Sequence, residues 1–418
     1  MHNWQSRLMI SCIILVPLLI ISFIWLKFFY VPEPQLDYVI IFIDEGQVVP
    51  SVIKSKNESM WEFKGRKHDG EPVIGQLTRS SAHDIEELAA SIRSNYVSRD
   101  PIEKKKYTTK YHPITGEPDK HKFHSINQRL SSIDVISLFS NTFNNKPTDK
   151  DRVSQYWDDK CDTKEMLVNI ARNRSTGYQS MIKGDKYTKL LADMANYTNV
   201  EVNNTNFMDI VNELMVEMKE FGEAGATGLV KDAEGFVNQT FRSSMGLFDE
   251  KIEYNGSDIG MEIQKWRRSK MVDTMYQAIS IKKKHGKDGN RLDTYATVST
   301  TIYSILIEFG LDKYVNQLDD YSPHAASSIM FEFYDNLKHF KLYRTKMGSK
   351  KKIDTTNLTK FIKGCNEYCD FKILDDVGKK DHEFNCSITD PHVYFSSTTP
   401  TTPPSNQTVS TVSNDTST

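Results

Sequence analysis

Apolar positions along the chain follow two periods, and their order predicts a layered α/β protein. Asp37 to Ile43 is a nearly continuous apolar run bounded by Pro34 and Gly46, the pattern of a short strand buried on both faces. Ile85, Leu88, Ala89, Ile92 and Tyr96 recur at spacings of three and four, as do Ile133, Ile136, Phe139 and Phe143. Each set predicts a helix with one apolar face. From about Cys161 to Lys270 helical spacing dominates, and Phe207, Ile210, Val211, Leu214, Met218 and Phe221 form a stripe read as core packing. Strand patterns return after the turn-like Asp288-Gly289-Asn290. Leu292 to Ala296 predicts a strand and Thr300 onward a helix through Ile302, Ile305, Leu306 and Phe309. Alternation at Ile329, Phe331 and Phe333, then Phe340 and Leu342, predicts two more strands, the first with outward-facing positions between its phenylalanines.

This order reads as a mostly parallel sheet flanked by helices, with an inserted helical cap. The segments are 1–7, a short cytosolic stretch; 8–26, a signal anchor or signal peptide; 37–160 and 271–395, the two parts of the α/β domain; 161–270, the cap; and 396–418, a disordered Ser/Thr/Pro-rich tail. With 418 residues and 38% hydrophobic content the chain can bury a sizeable core. A net charge of −2, with both signs spread along the chain, gives no footprint for nucleic acid.

Leu8 to Leu26 is uncharged over 19 residues. As a helix it reaches about 28 Å, close to a bilayer's hydrocarbon thickness. Trp25, Phe28, Phe29 and Tyr30 follow where a cleavage site would need small residues, which favours an uncleaved anchor. Ten Asn-X-Ser/Thr sequons lie beyond it: Asn57, Asn173, Asn196, Asn203, Asn238, Asn255, Asn357, Asn385, Asn406 and Asn414. Together they predict a single-pass type II glycoprotein with a lumenal or extracellular body. The alternative is secretion after signal cleavage. Outside the apolar run stand four cysteines, Cys161, Cys365, Cys369 and Cys386, an even number suited to disulfides. No histidine sits at zinc spacing beside Cys365 and Cys369.

The end of the first strand reads Ile43-Asp44-Glu45-Gly46-Gln47-Val48-Val49-Pro50. It resembles the histidine acid phosphatase signature, an apolar strand followed by Arg-His-Gly-X-Arg-X-Pro. Gly75-Gln76-Leu77-Thr78 is similar to that family's Gly-Gln-Leu-Thr loop, and its helix ends with the matching Arg93-X-X-Tyr96. His124-Ser125-Ile126-Asn127 stands at the Arg-Ser-Thr-Asp/Asn segment and Thr297-Val298-Ser299-Thr300-Thr301 at Ala-His-Asp-Thr-Thr. Phe331-Glu332-Phe333-Tyr334 resembles Phe-Glu-Leu-Tyr, and Tyr343-Arg344 resembles the end of the next strand. The resemblance implies a histidine phosphatase fold, a Cys365–Cys369 loop, a Cys161–Cys386 disulfide, and a homodimer or a dimer with an active relative.

At every catalytic position the resemblance fails. It puts Glu45 at the nucleophilic histidine, Asp44, Val48 and His124 at phosphate-gripping arginines, and Val298 and Ser299 at the His-Asp proton donor. A guanidinium replaced by a carboxylate about 4 Å from phosphate turns an attraction of roughly 4 kcal/mol, at an effective dielectric of 20, into a similar repulsion. Valine donates no proton and a serine hydroxyl is too weak an acid. Ser299 instead suits the N-cap of the following helix, and Asp44 a turn after the strand. Asp44, Glu45 and His124, with His112 and His121 near the last, are weak metal candidates, and no cofactor is expected. The expectation is an inactive phosphatase-like binding or scaffold protein. The alternative is an active phosphomonoester hydrolase with rearranged residues or a metal.

Overall fold

The computed structural model describes residues 34, 36–49, 67–68, 71–72, 75–96, 121–125, 130–144, 153–155, 161–222, 224–286, 290–311, 327–347, 353–378 and 384–398. The apolar run 8–26, Pro50, Asn57, His112, Asn406 and Asn414 lie outside them, as does the tail beyond Thr398. Among the described residues no helix is long and apolar enough to cross a membrane.

In chain order the elements are β1 (Leu36–Asp44), the short pair β2 (Lys67–His68) and β3 (Glu71–Pro72), α1 (Arg79–Tyr96), β4 (His121–Ser125), α2 (Leu130–Asn144) and β5 (Val153–Gln155). Five helices follow: α3 (Asp162–Arg174), α4 (Thr176–Ile182), α5 (Asp185–Thr198), α6 (Phe207–Phe221) and α7 (Ala224–Ser244). A hairpin of β6 (Glu253–Tyr254) and β7 (Ser257–Asp258) leads into α8 (Ile259–His285), β8 (Leu292–Thr297) and α9 (Ser299–Glu308). The chain closes with β9 (Ser328–Tyr334), β10 (His339–Met347), β11 (Ile353–Asn357), β12 (Cys369–Asp370), α10 (Phe371–Gly378) and α11 (Pro391–Thr398). The strands and helices predicted from spacing are present, and residues 162–244 are occupied by five helices. Helix α8 runs through residue 270, so the body resumes inside a helix rather than in a linker.

One sheet of order β11-β10-β9-β1-β8-β4-β5, with β12 on β10, forms the body. It is mixed, not mostly parallel. β1, β8, β4 and β5 run parallel, while β9 is antiparallel to β1 and β10 to β9. The cause is the turn Asp335 to Lys338, too short for the crossover that a parallel pair needs. Nor does β9 have outward-facing positions: all seven of its residues are buried, since β1 and β10 flank it and both sheet faces are covered. The opposite assumption failed because alternation with Met330 and Glu332 mimicked a half-exposed strand. Ser396 to Thr398, assigned to the tail, instead complete helix α11.

Two cores result. Tyr38, Ile40 and Phe42 of β1 join Tyr295, Phe331, Phe333, Ile305 and Leu306 on one face. Val39, Ile41 and Ile43 pack with Leu88, Ile92, Ile136 and Phe139 of α1 and α2 on the other. The cap has its own core, in which Tyr187, Leu190, Ile210, Leu214, Ala233 and Val237 interlock. Two landmarks of the family resemblance meet here, because the Tyr96 hydroxyl donates to Oε1 of buried Glu332 while the Tyr334 hydroxyl donates to Oε2 at 2.5 Å.

Disulfides join Cys161 to Cys386 and Cys365 to Cys369. The first closes a loop of 225 residues and ties the start of the cap to the segment before α11. Cys161→Ser with Cys386→Ser should cost about 2 to 5 kcal/mol, because the crosslink restricts the unfolded chain. Urea unfolding of oxidised protein and the double variant measures it, and superimposable curves would refute it.

Candidate functional site

β1 ends at the sheet's centre, and its last residues hang from both neighbours. The Asp44 amide donates to the Ser327 carbonyl and the Glu45 amide to the Thr297 carbonyl, each at 2.9 Å. Gly46 then turns the chain at φ +70°, a conformation open to glycine and costly for most side chains. Its amide donates back to Oδ1 of Asp44 at 3.1 Å, so Asp44 caps the turn as its residue type predicts. Val48 bridges to Leu77, and the Val49 amide bonds the Gln76 carbonyl at 2.7 Å. The Gly-Gln-Leu-Thr segment is therefore the outer rail of this loop. Thr78 immediately precedes α1, and its hydroxyl accepts from the Ser81 amide at 3.3 Å.

Strand alternation sends the two acids to opposite faces. Asp44 lies on the Phe42 side, buried, and the Ser299 hydroxyl donates to its Oδ2 at 2.5 Å. Glu45 lies on the Ile43 side, where Ser131 and Ser132 at the start of α2 donate to its Oε2 at 2.7 and 2.9 Å. A carboxylate beside a helix N-terminus is a favourable arrangement. Burial pushes the Asp44 carboxyl up to about 7, with nearby Glu45 adding to the rise, while the Ser299 and Gly46 bonds oppose it.

Ser299 is not the N-cap of α9; that position belongs to half-buried Val298, which makes no side-chain cap. Ser299 sits in the first turn, and its hydroxyl is drawn to Asp44 across from β1, a partner that local sequence cannot show. His124, on β4, stacks on Tyr295 with ring centroids 4.6 Å apart, and its Nε2 lies 3.5 Å from Oδ1 of Asp293. The same Asp293 accepts from the Tyr38 hydroxyl and from Asn290. Thus Asp44 and Ser299 come together, Glu45 turns away, and His124 is engaged with an acid. Among the described residues no group of three His, Cys, Asp or Glu is placed to hold a metal, and Asp44, Glu45 and His124 are not brought together as one. His121 faces Asn144, its Nδ1 3.1 Å from Oδ1.

Several residues of the site escaped sequence reading. Ser131 and Ser132 open a helix whose sequence signal is its apolar face, and nothing local marks them. Gln47, buried, donates its amide N–H to Ser81 Oγ at 3.1 Å and reaches the Met215 carbonyl of α6 with Nε2 at 3.5 Å. Helix α6 also meets the first turns of α1, where Lys219 pairs with Asp84 at 3.1 Å and the Ser80 amide donates to Glu220 at 3.3 Å. The cap thus lies directly over the loop. Only the excess of polar groups on one side of the α6 stripe hinted at this.

No family model matches the chain, and no curated protein matches it. Solved structures do match in shape. The apo phytase of Hafnia alvei aligns over 84% of this chain and 98% of its own at 12% identity, with a TM-score of 0.52. The Citrobacter braakii phytase gives the same coverage and identity with a TM-score of 0.53. At that identity the likeness is one of fold alone.

Proposed function

We propose that the protein keeps the phosphatase frame without its reaction and acts as a binding or scaffold protein, anchored by residues 8–26 with its glycosylated body in the lumen or outside the cell. One observation supports this reading above others: the positions that would need a nucleophile and paired cations hold Asp44 and Glu45, whose oxygens are occupied by serine hydroxyls and a backbone amide. A phosphoryl group there meets Asp44 in place of a guanidinium fork, while Glu45, turned to the other face, offers it no nucleophile. The body's location agrees with the sequons as well. Asn173, Asn196, Asn203, Asn255, Asn357 and Asn385 are exposed and Asn238 is half-buried.

Full-length protein is expected to show no turnover of p-nitrophenyl phosphate or phytate above an identical blank between pH 4 and 8. Phosphate is expected to leave its melting temperature unchanged. Turnover that Glu45→Ala abolishes would overturn the reading. Glycosidase treatment should lower the apparent mass, and the protein should stay with membranes in an alkaline wash; a soluble product would mark residues 8–26 as a removed signal.

One observation favours a second reading, an active hydrolase with rearranged residues. A carboxyl held near 7 carries a proton at mild pH and suits general-acid work. The same assay decides, because Asp44→Asn would then remove turnover that wild type displays.

A further inference from the structure

We propose that Asn385 carries an N-linked glycan only on chains that receive it before Cys386 joins Cys161, so that disulfide closure is a one-way gate on this sequon. This rests on the reading of the body as lumenal or extracellular.

Of the ten sequons, Asn385-Cys386-Ser387 alone has a cysteine between its asparagine and its hydroxyl residue. That cysteine is bonded to Cys161, 225 residues earlier. The neighbouring backbone is tied to the same place. The Thr163 amide donates to the Cys386 carbonyl at 3.4 Å, the Ile388 amide donates to Thr163 Oγ1 at 2.9 Å, and that hydroxyl donates to the Ile388 carbonyl at 2.7 Å. Cys161 is 2% exposed and Thr163 is fully buried, so the middle of the sequon is strapped to the start of α3. Asn385 and Ser387 stay exposed, and Oδ1 of Asn385 accepts from the Ser387 amide at 2.9 Å.

Two events compete for these three residues. Glycan transfer bonds Asn385 Nδ2 to the first sugar carbon of a lipid-diphosphate-linked oligosaccharide; the sugar–phosphate bond breaks, the lipid diphosphate leaves, and Nδ2 gives up one proton. The acceptor is asparagine with a hydroxyl residue two places on, so the transferase must hold all three residues together. A tripeptide drawn into that cleft gives up its contacts on both sides, which the closed disulfide and the Thr163 bonds forbid at Cys386. Closure forms the Sγ–Sγ bond, and its two electrons and two protons pass to the disulfide of an oxidoreductase. The reverse order is open, because a glycan on exposed Asn385 leaves Cys386 able to reach Cys161.

Chain order makes this a race. Cys161 is made 225 residues ahead, on the order of 10 to 45 s at roughly 5 to 20 residues per second. Its thiol is therefore waiting when Cys386 arrives, and disulfide formation takes seconds upward. Asn357 supplies the contrast. Its sequon has Leu358 in the middle, and its own turn, from the Thr359 amide to Oδ1 at 2.9 Å, involves no thiol.

Glycopeptide mass spectrometry on full-length protein from eukaryotic secretory expression tests this, with the other sequons as internal reference. Wild-type occupancy at Asn385 should be partial, and its glycosylated peptides should still be crosslinked to Cys161 without reductant. Cys161→Ser, which leaves the sequon intact, should bring Asn385 close to full occupancy and leave Asn357 unchanged. Because that variant also loosens the fold, two others separate the causes. Removing the second disulfide with Cys365→Ser and Cys369→Ser should leave Asn385 partial, and Ser387→Thr, a better acceptor with both bridges kept, should raise it. Full or absent occupancy at Asn385 in wild type and Cys161→Ser alike would overturn the gate, as would an equal rise in the Cys365 and Cys369 variant. Glycans missing from all ten sequons would overturn the lumenal reading along with it.

Discussion

Asp44→Asn is expected to stabilise the protein increasingly as pH rises from 4 to 7, reaching at most about 4 kcal/mol and staying level above that. The sign follows from proton binding. In the folded state the carboxyl titrates at about 7 because burial disfavours its charge, against an ordinary value of 3.8. Between these pH values the folded state holds a proton that the unfolded state has released, so wild-type stability falls as pH rises. At 1.36 kcal/mol for each tenfold change, the gap corresponds to about 4 kcal/mol. Asparagine has no charge to bury and keeps a side-chain oxygen for the Gly46 amide. The two proteins should therefore unfold alike at pH 4 and diverge by pH 7 in urea titrations. Parallel curves across the range would mean that Asp44 is not held in its neutral form.

Glu308→Ala is expected to destabilise the fold by about 3 to 5 kcal/mol, for the opposite electrostatic reason. Glu308 is the last residue of α9. Its Oε1 accepts from Arg267 at 2.6 Å and its Oε2 from Arg268 at 3.0 Å, both on α8. Arg267 is 2% exposed, and burial holds its guanidinium below the ordinary range while Glu308 opposes that shift. Its other nitrogen donates to the Met245 carbonyl at 2.9 Å. Removing the carboxylate leaves two buried like charges facing each other. A triple variant, R267M with R268L and E308L, should cost much less than Glu308→Ala alone, because charge and partner leave together. Equal losses in chemical denaturation would assign the effect to packing. The ion triad also bears on the site, since the helix that it fixes carries Ser299 at its other end.

The fold was legible wherever period and punctuation agreed. Asp37–Ile43 reads as a buried strand because nothing polar interrupts it, and the structure extends it by one residue at each end. The stripe through Phe207 and Leu214 is core, as its spacing implies. Strand direction was less legible, because β9 pairs with β1 through residues 285 to 298 positions away and no local pattern encodes that register. The site was half legible. The identities at Asp44, Glu45, Val48, His124, Val298 and Ser299 could be read in order, but their partners could not. Ser131 and Ser132 approach Glu45, and Asp293 approaches His124, only after two strands from different parts of the chain lie side by side. Glu308, a buried charge ending an apolar helix, gave no outward sign of the arginines that hold it.

The place of β1 in the sheet also has a consequence in time. The most apolar strand is made early, yet its two neighbours, Leu292–Thr297 and Ser328–Tyr334, come near the end of the chain. At roughly 5 to 20 residues per second, its hydrogen-bonding edges wait on the order of 10 to 50 s for company during synthesis. Such late pairing favours slow folding and exposes a sticky segment meanwhile. The cap, whose contacts are local, can form first. The nascent chain would thus be a finished helical bundle with an unfinished sheet, and chaperones should meet it through β1.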